Sequence, residues 1–226
     1  MFIPLRDQVP LVNTRAPYVT RALLLVTTLA FVVCWAIPGL TDRAALEAGL
    51  IPAVLFKHAV LPPGYDVLPA WLTPLTSIFL HGGFIHLIGN MLFLQVFGDN
   101  VEDAFGHLRY ALFYVTCGVC GAMAHAVMGP ESQQPLIGAS GAVAGIIGAY
   151  LVLHPRAQIW GLVLNVLPLR IPAALALGAW IAFQLYHAFA RDEAATGWWA
   201  HVGGFAAGVL LVLPLRLKAA PAADPS

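Results

Sequence analysis

Charged side chains are scarce in this sequence. Of 226 residues only 10% are Asp, Glu, Lys or Arg, whereas 60% are hydrophobic, and the mean hydropathy is +0.81. A soluble domain averages about 25% charged residues, so this chain cannot cover itself with polar surface in water. Its eleven basic and eleven acidic residues cancel, which argues against a nucleic-acid partner. The composition predicts a polytopic membrane protein.

Cysteine is also rare, and all three copies lie in apolar stretches. Cys117 and Cys120 have the spacing of half a zinc or redox site, but no second Cys/His pair follows at ligand spacing. We therefore expect small buried residues that face a neighbouring helix, and no disulfide framework. The HExxH pattern of metalloproteases is missing as well. We expect neither a metal nor a cofactor.

Long apolar runs, in contrast, are frequent. A helical span needs roughly 20 apolar residues, and strand-like alternation is not found, so we predict an all-α membrane protein. The six candidate spans are 19–37, 75–97, 105–127, 136–153, 171–189 and 198–215. The predicted domains are a short cytoplasmic tail over 1–18, a six-helix membrane domain over 19–217 and a second cytoplasmic tail over 218–226. The semi-apolar connection 39–73 is predicted to be an interfacial, partly helical loop.

Basic residues are distributed unevenly between the two sides of these spans. Eight Lys and Arg residues fall on the side that holds both termini, and three fall on the other side. Cytoplasmic loops carry the excess of basic residues, so we predict that both termini are cytoplasmic. Trp71, Trp198 and Trp199 then belong to the outer aromatic belt.

Three predicted helices carry an unusual polar residue at the same depth. His86, Ser140 and His201 precede the first polar residue at the inner end of their helices by 13, 14 and 15 residues. At 1.5 Å per residue, all three lie about 10 Å below the outer surface of a hydrocarbon core. Asn90, about one turn after His86, shares its helix face. His81 lies nearer the outer edge, and we expect it to be a structural core histidine.

These residue types point to nucleophilic catalysis inside the membrane. A serine hydroxyl needs a neighbouring base, and His201 has the depth of Ser140 on a different helix. No Asp or Glu lies at that depth, so we predict a Ser–His dyad. His86, the Asn90 amide and the backbone N–H of Ser140 are candidates for stabilising an oxyanion.

Glycine spacing suggests how the two catalytic helices meet. Gly141 and Gly145 follow the serine, and Gly204 and Gly208 follow the histidine, each pair four residues apart. Small residues at this spacing let helix backbones approach closely in a membrane. The predicted hydrogen bond between serine and histidine requires such an approach.

Three motifs, in this order, resemble those of the rhomboid intramembrane serine proteases of the small bacterial six-helix type. They are LHGGFIHLIGNM at 80–91, GASG at 138–141 and AHVGG at 200–204. The resemblance implies that Ser140 is the nucleophile and His201 its base, and that His86 and Asn90 stabilise the oxyanion. Gly138 belongs to the GxSG motif of the family.

The resemblance has further implications. Glu102 matches a structural acid that pins a cytoplasmic connection. The segment 171–197 matches a gate for lateral entry of single- or multi-span membrane-protein substrates, with Trp180 and Phe183 as candidate lining residues. The implied location is the bacterial inner membrane, with the active site open to the outer side and lipid as the surrounding partner.

Two positions depart from the family pattern. The Trp-Arg pair of many members is Trp71-Leu72 here, and Ala144 stands where some members have an aromatic residue that stacks on the histidine. We expect His201 to be oriented less tightly, or to stack on another group.

Two other function classes stay open at this point. One is a catalytically silent rhomboid-like protein that binds membrane clients. The other is a small transporter or metal-binding channel that uses His81, His86 and His201, although no carboxylate lies at mid-membrane to complete a metal site or proton relay.

Overall fold

The computed structural model describes residues 2–163, 166–190 and 197–219, and most of them are helical. The long helices surround α7, in which every residue from Gly141 to Tyr150 is buried. The helices are α1 (Tyr18–Ala36), α2 (Leu40–Ala48), α3 (Pro52–Leu55), α4 (Thr73–Thr76), α5 (Phe84–Phe105), α6 (His107–Met128), α7 (Ser140–Leu153), α8 (Ala173–Phe189) and α9 (Trp198–Ala219).

Among the described residues, three helices are long and apolar enough to cross a bilayer. They are α1, α6 and residues 198–215 of α9. The segment Ala70–Phe79 and α5 make a fourth candidate if they are counted together, although they are bent by 79° where they meet. Helices α7 and α8 are apolar but shorter. The count of six spans therefore stays a prediction.

The predicted second span, 75–97, is interrupted and is not one continuous helix. The chain leaves helical geometry after the 3₁₀ turn Ser77–Phe79, and α5 begins only at Phe84 and continues to Phe105. Gly82 and Gly83 lie at the break, and glycine disfavours a helix interior. As a result, His81 lies in the bend, whereas His86 lies in the first turn of α5.

The predicted fourth span also begins earlier in sequence than the helix does. Leu136 forms two backbone hydrogen bonds with Leu50: its N–H donates to the Leu50 carbonyl over 2.8 Å, and the Leu50 N–H donates back over 3.0 Å. Helix α7 can therefore start only at Ser140. The connection 39–73 is partly helical, as predicted, because it contains α2 and α3. Its depth in a membrane stays a prediction.

A small sheet contradicts the all-α prediction. Strands β1 (Phe2–Arg6), β2 (Gln158–Val163) and β3 (Leu167–Pro172) form an antiparallel sheet in the order β1-β2-β3. Ile171, predicted to start the fifth span, lies in β3 opposite Ile159. Proline at 168 and 172 is incompatible with a helix interior, so α8 begins only after Pro172. The strands are only five or six residues long and mostly apolar, so the sequence shows no alternation of polar and apolar residues.

Helices α7 and α9 pack at backbone contact through glycines. A Cβ atom on Gly204 would overlap the carbonyl group of Gly141, and one on Gly208 would overlap that of Gly145. The four glycines singled out by their spacing thus form this contact, and a side chain at either α9 position would separate the helices.

The cysteines are free. Cys117 is buried against the backbone of Gly145, as expected for a small residue facing a neighbouring helix. Cys120 is exposed, so the expectation that it is buried is wrong.

The end of α5 remote from His86 holds buried carboxylates, and we call the region of Asp7, Glu102 and Asp103 the carboxylate end. Glu102 is fully buried and accepts hydrogen bonds from the backbone N–H groups of Val19 (2.9 Å) and Thr20 (2.7 Å). Its carboxylate also accepts from the Thr20 hydroxyl. Carboxylate oxygens at a helix N-terminus satisfy unpaired amides and complement the helix dipole. Glu102 therefore fixes the start of α1 against the end of α5.

Asp103 performs a similar task on the preceding segment. Its carboxylate accepts hydrogen bonds from the backbone N–H groups of Val12 (3.0 Å), Asn13 (2.8 Å) and Thr14 (2.6 Å). The two adjacent acids thus hold the chain from Val12 into α1.

Candidate active site

One cavity of about 490 Å³ collects the polar residues predicted to share a depth. Ser140, His201, His86 and Asn90 all line it, and Trp180 of α8 forms part of its wall. We call this region the serine end of the bundle. The remaining lining residues are Gly82, Ile85, Gly89, Phe93, Pro135, Leu136, Ile137, Val143, Ile147 and Gly197.

Ser140 is the first residue of α7. The first hydrogen bond back along this helix runs from the Val143 N–H to the Ala139 carbonyl over 2.9 Å. The N–H groups before Val143 belong to the turn whose amides have no partner within the helix. The serine hydroxyl is thus next to backbone donors that can receive a developing negative charge.

Gly138 brings His86 close to the serine. Its φ of +130° lies in the region that favours glycine. A Cβ atom at this position would lie 2.7 Å from both Cε1 and Nε2 of His86 and 3.8 Å from Oγ of Ser140. The imidazole therefore packs directly on the Gly138 backbone, beside the serine hydroxyl, and a larger residue would displace it.

His201 lies in the first turn of α9, where the contact with α7 is already close. The Ala200 carbonyl oxygen is 3.4 Å from the Cβ position of Gly141. The imidazole packs near Trp180, with ring centroids 5.9 Å apart and planes inclined by 35°. Ala144 is fully buried. The aromatic neighbours of the histidine are therefore Trp180 of α8 and Trp198 of α9, the latter at 6.1 Å between ring centroids.

His201 also has a polar partner that sequence reasoning missed. Its Nδ1 lies 2.7 Å from Oε1 of Gln184, a buried residue of α8. Gln184 is the only carboxamide in the sequence AALALGAWIAFQLYHAF of this helix. Buried amides are costly without a partner, so an isolated glutamine in an apolar helix was the signal that could have found it.

Asn90 is held by two hydrogen bonds. Its amide nitrogen donates to the His86 carbonyl and to Nε2 of His81, each over 3.1 Å. Both hydrogen atoms of the amide are therefore engaged. Stabilisation of an oxyanion by Asn90 stays a prediction, and it requires one of these bonds to open.

His81 is a buried residue with a structural role. It is 2% exposed, and its Nε2 also accepts a long hydrogen bond of 3.5 Å from the Ala139 N–H. The ring thereby links the bend before α5 to the residue that precedes Ser140.

Other predicted residues lie away from the cavity. Phe183 is 54% exposed and packs against His187 and Trp198 rather than lining the cavity. Trp71 is 71% exposed, and Glu102 lies at the opposite end of α5. Of the predicted gate 171–197, residues 191–196 lie outside the described residues, as do residues 220–226 of the predicted C-terminal tail.

Metal ligands are not assembled in the part of the chain that the structure describes. No group of three His, Cys, Asp or Glu side chains there could hold an ion. The chemistry available at the serine end is a hydroxyl, two imidazoles and backbone amides beside an open cavity, which suits nucleophilic attack on a carbonyl.

The family model described as "Rhomboid domain" matches residues 69–218, about two thirds of the chain. The protein belongs to the rhomboid family. This family includes serine intramembrane proteases, and together with the apolar helices it makes the chain an integral membrane protein.

Several curated relatives carry rhomboid names. RHOMBOID-like protein 5 of Arabidopsis thaliana is 32% identical over 146 residues, 64% of this chain and 44% of that protein. Rhomboid protein 1, mitochondrial, of Saccharomyces cerevisiae is 31% identical over 155 residues, 64% of this chain and 42% of that protein. Rhomboid protease GluP of Bacillus subtilis is 42% identical over 81 residues, 36% of this chain and 15% of that protein. The chain thus spans less than half the length of these three relatives.

Proposed function

We propose that the protein is an intramembrane serine endopeptidase that hydrolyses peptide bonds in or near the transmembrane segments of other membrane proteins. Ser140 is the nucleophile and His201 the general base. The observation that carries this proposal is the single cavity lined by Ser140, His201 and His86, which come from three different helices. Membership of a family that includes serine proteases supports it.

In the proposed reaction, His201 carries protons between Ser140, the substrate and water. Oγ of Ser140 attacks the carbonyl carbon of the scissile peptide bond, while Nε2 of His201 takes the hydroxyl proton. The same proton passes to the leaving nitrogen as the C–N bond breaks, which leaves an acyl ester on Ser140. Water then attacks the ester carbon and gives a proton to His201, which returns it to the serine oxygen as the acid leaves.

The oxyanion formed in each step needs preorganised donors. The nearest donors are the His86 ring, which packs on Gly138 beside the serine, and the N–H groups at the start of α7. Asn90 joins them once the bond from its amide to His81 opens. Catalytic hydrogen bonds often tighten only when substrate is bound.

Substrates enter the cavity from the lipid beside α8. Trp180 of α8 lines the cavity. Leu175, Phe183 and Tyr186 are exposed on other parts of the surface of α8. Both termini are cytoplasmic, and the cavity opens to the outer side, as the distribution of basic residues favours. Small side chains are preferred at the cleavage site because glycines at 82, 89 and 197 form part of the wall.

Purified protein in lipid vesicles, incubated with a library of single-span substrates, tests the proposal. We expect cleavage sites, mapped by mass, near one end of the substrate span. Ser140→Ala and His201→Ala should each abolish cleavage, because they remove the proposed nucleophile and the proposed base. Ser132→Ala, in a loop outside the cavity, should cleave as the wild type does. Full turnover by Ser140→Ala would refute the assignment.

A serine-reactive fluorophosphonate separates the protease from a catalytically silent relative that only binds membrane clients. We expect labelling of the wild type and none of Ser140→Ala. A wild type that binds substrates but is neither labelled nor active would establish the silent alternative.

A further inference from the structure

The contact between His201 and Gln184 fixes the position of a hydrogen atom. The two side chains meet over 2.7 Å through Nδ1 of the imidazole and Oε1 of the amide. A carboxamide oxygen accepts hydrogen bonds and cannot donate them. The hydrogen atom in this contact therefore belongs to Nδ1, and Nε2 of the neutral ring keeps its lone pair.

This tautomer is the one that the proposed reaction requires. Nε2 has to be unprotonated to take the proton from Ser140. A neutral imidazole carries one N–H, and the bond at one nitrogen decides the state of the other. In Ser-His-Asp sites a buried carboxylate makes that bond, whereas the sequence offers no acid at this depth.

We propose that Gln184 is a positioning residue that holds His201 in its reactive tautomer and orientation. The site then works as Ser140, His201 and Gln184, with a neutral amide in the third place. This inference rests on the proposed function, because it assigns the amide a task in the same reaction.

The same helix contributes twice to the surroundings of the base. Trp180 lies one turn before Gln184 on α8, lines the cavity and packs its ring near His201. Residues four apart on a helix share a face. Any displacement of α8 away from the cavity therefore also removes the partner of Nδ1, so that the reactivity of the base depends on where α8 lies.

A neutral partner and a charged partner of His201 differ in how strongly they favour the protonated imidazole. A carboxylate favours the protonated ring by its charge, whereas an amide does not. Gln184→Glu keeps the acceptor and adds the charge, and Gln184→Met keeps the approximate volume and removes the acceptor. Gln95→Met is the matched control, because Gln95 is an exposed glutamine of α5 that does not line the cavity.

The first readout is independent of activity. Protein labelled with ¹⁵N-histidine, with the His201 signals assigned by their loss in His201→Gln, should show the Nδ1–H tautomer in the wild type and in Gln95→Met. Gln184→Met should show a mixture of tautomers. Gln184→Glu should keep the Nδ1–H form and bind the second proton at higher pH than the wild type. An unchanged tautomer in Gln184→Met overturns the proposal.

The second readout is the kinetics of cleavage. We expect kcat of Gln184→Met to fall about 10- to 100-fold, which is part of the factor that a general base contributes. KM should stay within about twofold, because the amide acts on the base and not on substrate binding. Gln184→Glu should recover most of kcat and move the acid limb of the pH profile to higher pH. A purely structural glutamine would give equal losses in both variants and no pH shift, which would contradict the proposal.

Failure of the proposed function gives a different pattern. In that case the wild type cleaves no better than Ser140→Ala, while the tautomer of His201 still reports whether Gln184 holds the ring.

Discussion

The two ends of α5 use their polar side chains in opposite ways. At the carboxylate end, Glu102 is fully buried and its two oxygens contact four groups: the N–H groups of Val19 and Thr20, the Thr20 hydroxyl and Nδ1 of His107. At the serine end, Ser140 and His86 border a cavity of about 490 Å³. The acids hold the chain together, whereas the serine end keeps space for another molecule. One end of α5 thus contributes to stability, and the other end borders the proposed active site.

The largest expected effect on stability comes from breaking the carboxylate end. Glu102→Ala leaves the backbone N–H groups of Val19 and Thr20 without their acceptor, and each buried unpaired group costs about 1–3 kcal/mol. We expect the free energy of unfolding in detergent titrations to fall by about 4 kcal/mol. Fluorophosphonate labelling of the fraction that stays folded should be unchanged, because Ser140 is remote.

Glu47→Ala is the control for that variant. Glu47 pairs with Arg43 over 2.6 Å on the surface of α2, and the arginine side chain is 57% exposed. Such an exposed pair contributes little to stability because water screens it. Equal losses in the two variants would mean that the buried carboxylate has no special part in stability.

A smaller effect is expected from crowding the serine end. Gly138→Ala places a methyl group against the His86 ring, and a displacement of about 1 Å in an active site can cost about 100-fold. We expect kcat/KM to fall by about that factor, while folding is retained.

The backbone of Gly39 provides the control for strain. Its φ is +78°, and nothing lies within 4 Å of its Cβ position. Gly39→Ala therefore adds strain of about 1–2 kcal/mol without a steric clash, and cleavage should be unaffected. If Gly138→Ala cleaved as well as Gly39→Ala, contact with His86 would not matter for catalysis.

The smallest expected effect is a change in how the free energy of unfolding depends on pH at the carboxylate end. Burial raises the pKa of the Asp7 carboxyl above its ordinary value, although the Tyr150 hydroxyl donates to it over 2.6 Å and Arg6 lies nearby. Because the pKa is higher in the folded state, the contribution of Asp7 to stability is complete at acidic pH and is lost as the pH rises through the folded-state value.

Asp7→Asn should remove that loss while its amide oxygen still accepts from Tyr150. The free energy of unfolding should therefore decline less steeply between pH 4 and pH 8 than it does in the wild type. Gln95→Met, which changes an exposed side chain and no ionisable group, should keep the wild-type slope. A steeper decline in Asp7→Asn would show that the carboxylate is stabilising when charged.

The sequence was informative wherever a physical rule acts locally. Helical rise and the positions of polar residues put His86, Ser140 and His201 at one depth, and the three line one cavity. The four-residue spacing of Gly141 and Gly145 anticipated their contact with α9. Their catalytic roles stay predictions.

Features that depend on distant partners were not foreseen. The sheet joins the N-terminal strand to a hairpin more than 150 residues away, and its short apolar strands have no visible alternation. Gln184 reaches His201 only because α8 packs beside α9, and a single-sequence pattern does not show which helices are neighbours. The hydrogen bond from Asn90 to His81 depends on the bend that places His81 beside α5.

The paired hydrogen bonds between Leu50 and Leu136 limit insertions and deletions between Leu136 and Ser140. Three residues separate Leu136 from Ser140, and the middle one, Gly138, donates its N–H to the Ser77 carbonyl over 2.9 Å. A residue inserted here could not be absorbed by a loop, because both sides are already bonded. It would turn the hydroxyl by about 100° around the axis of α7. Side chains in this stretch can be exchanged, but insertions and deletions should be found only elsewhere in the chain.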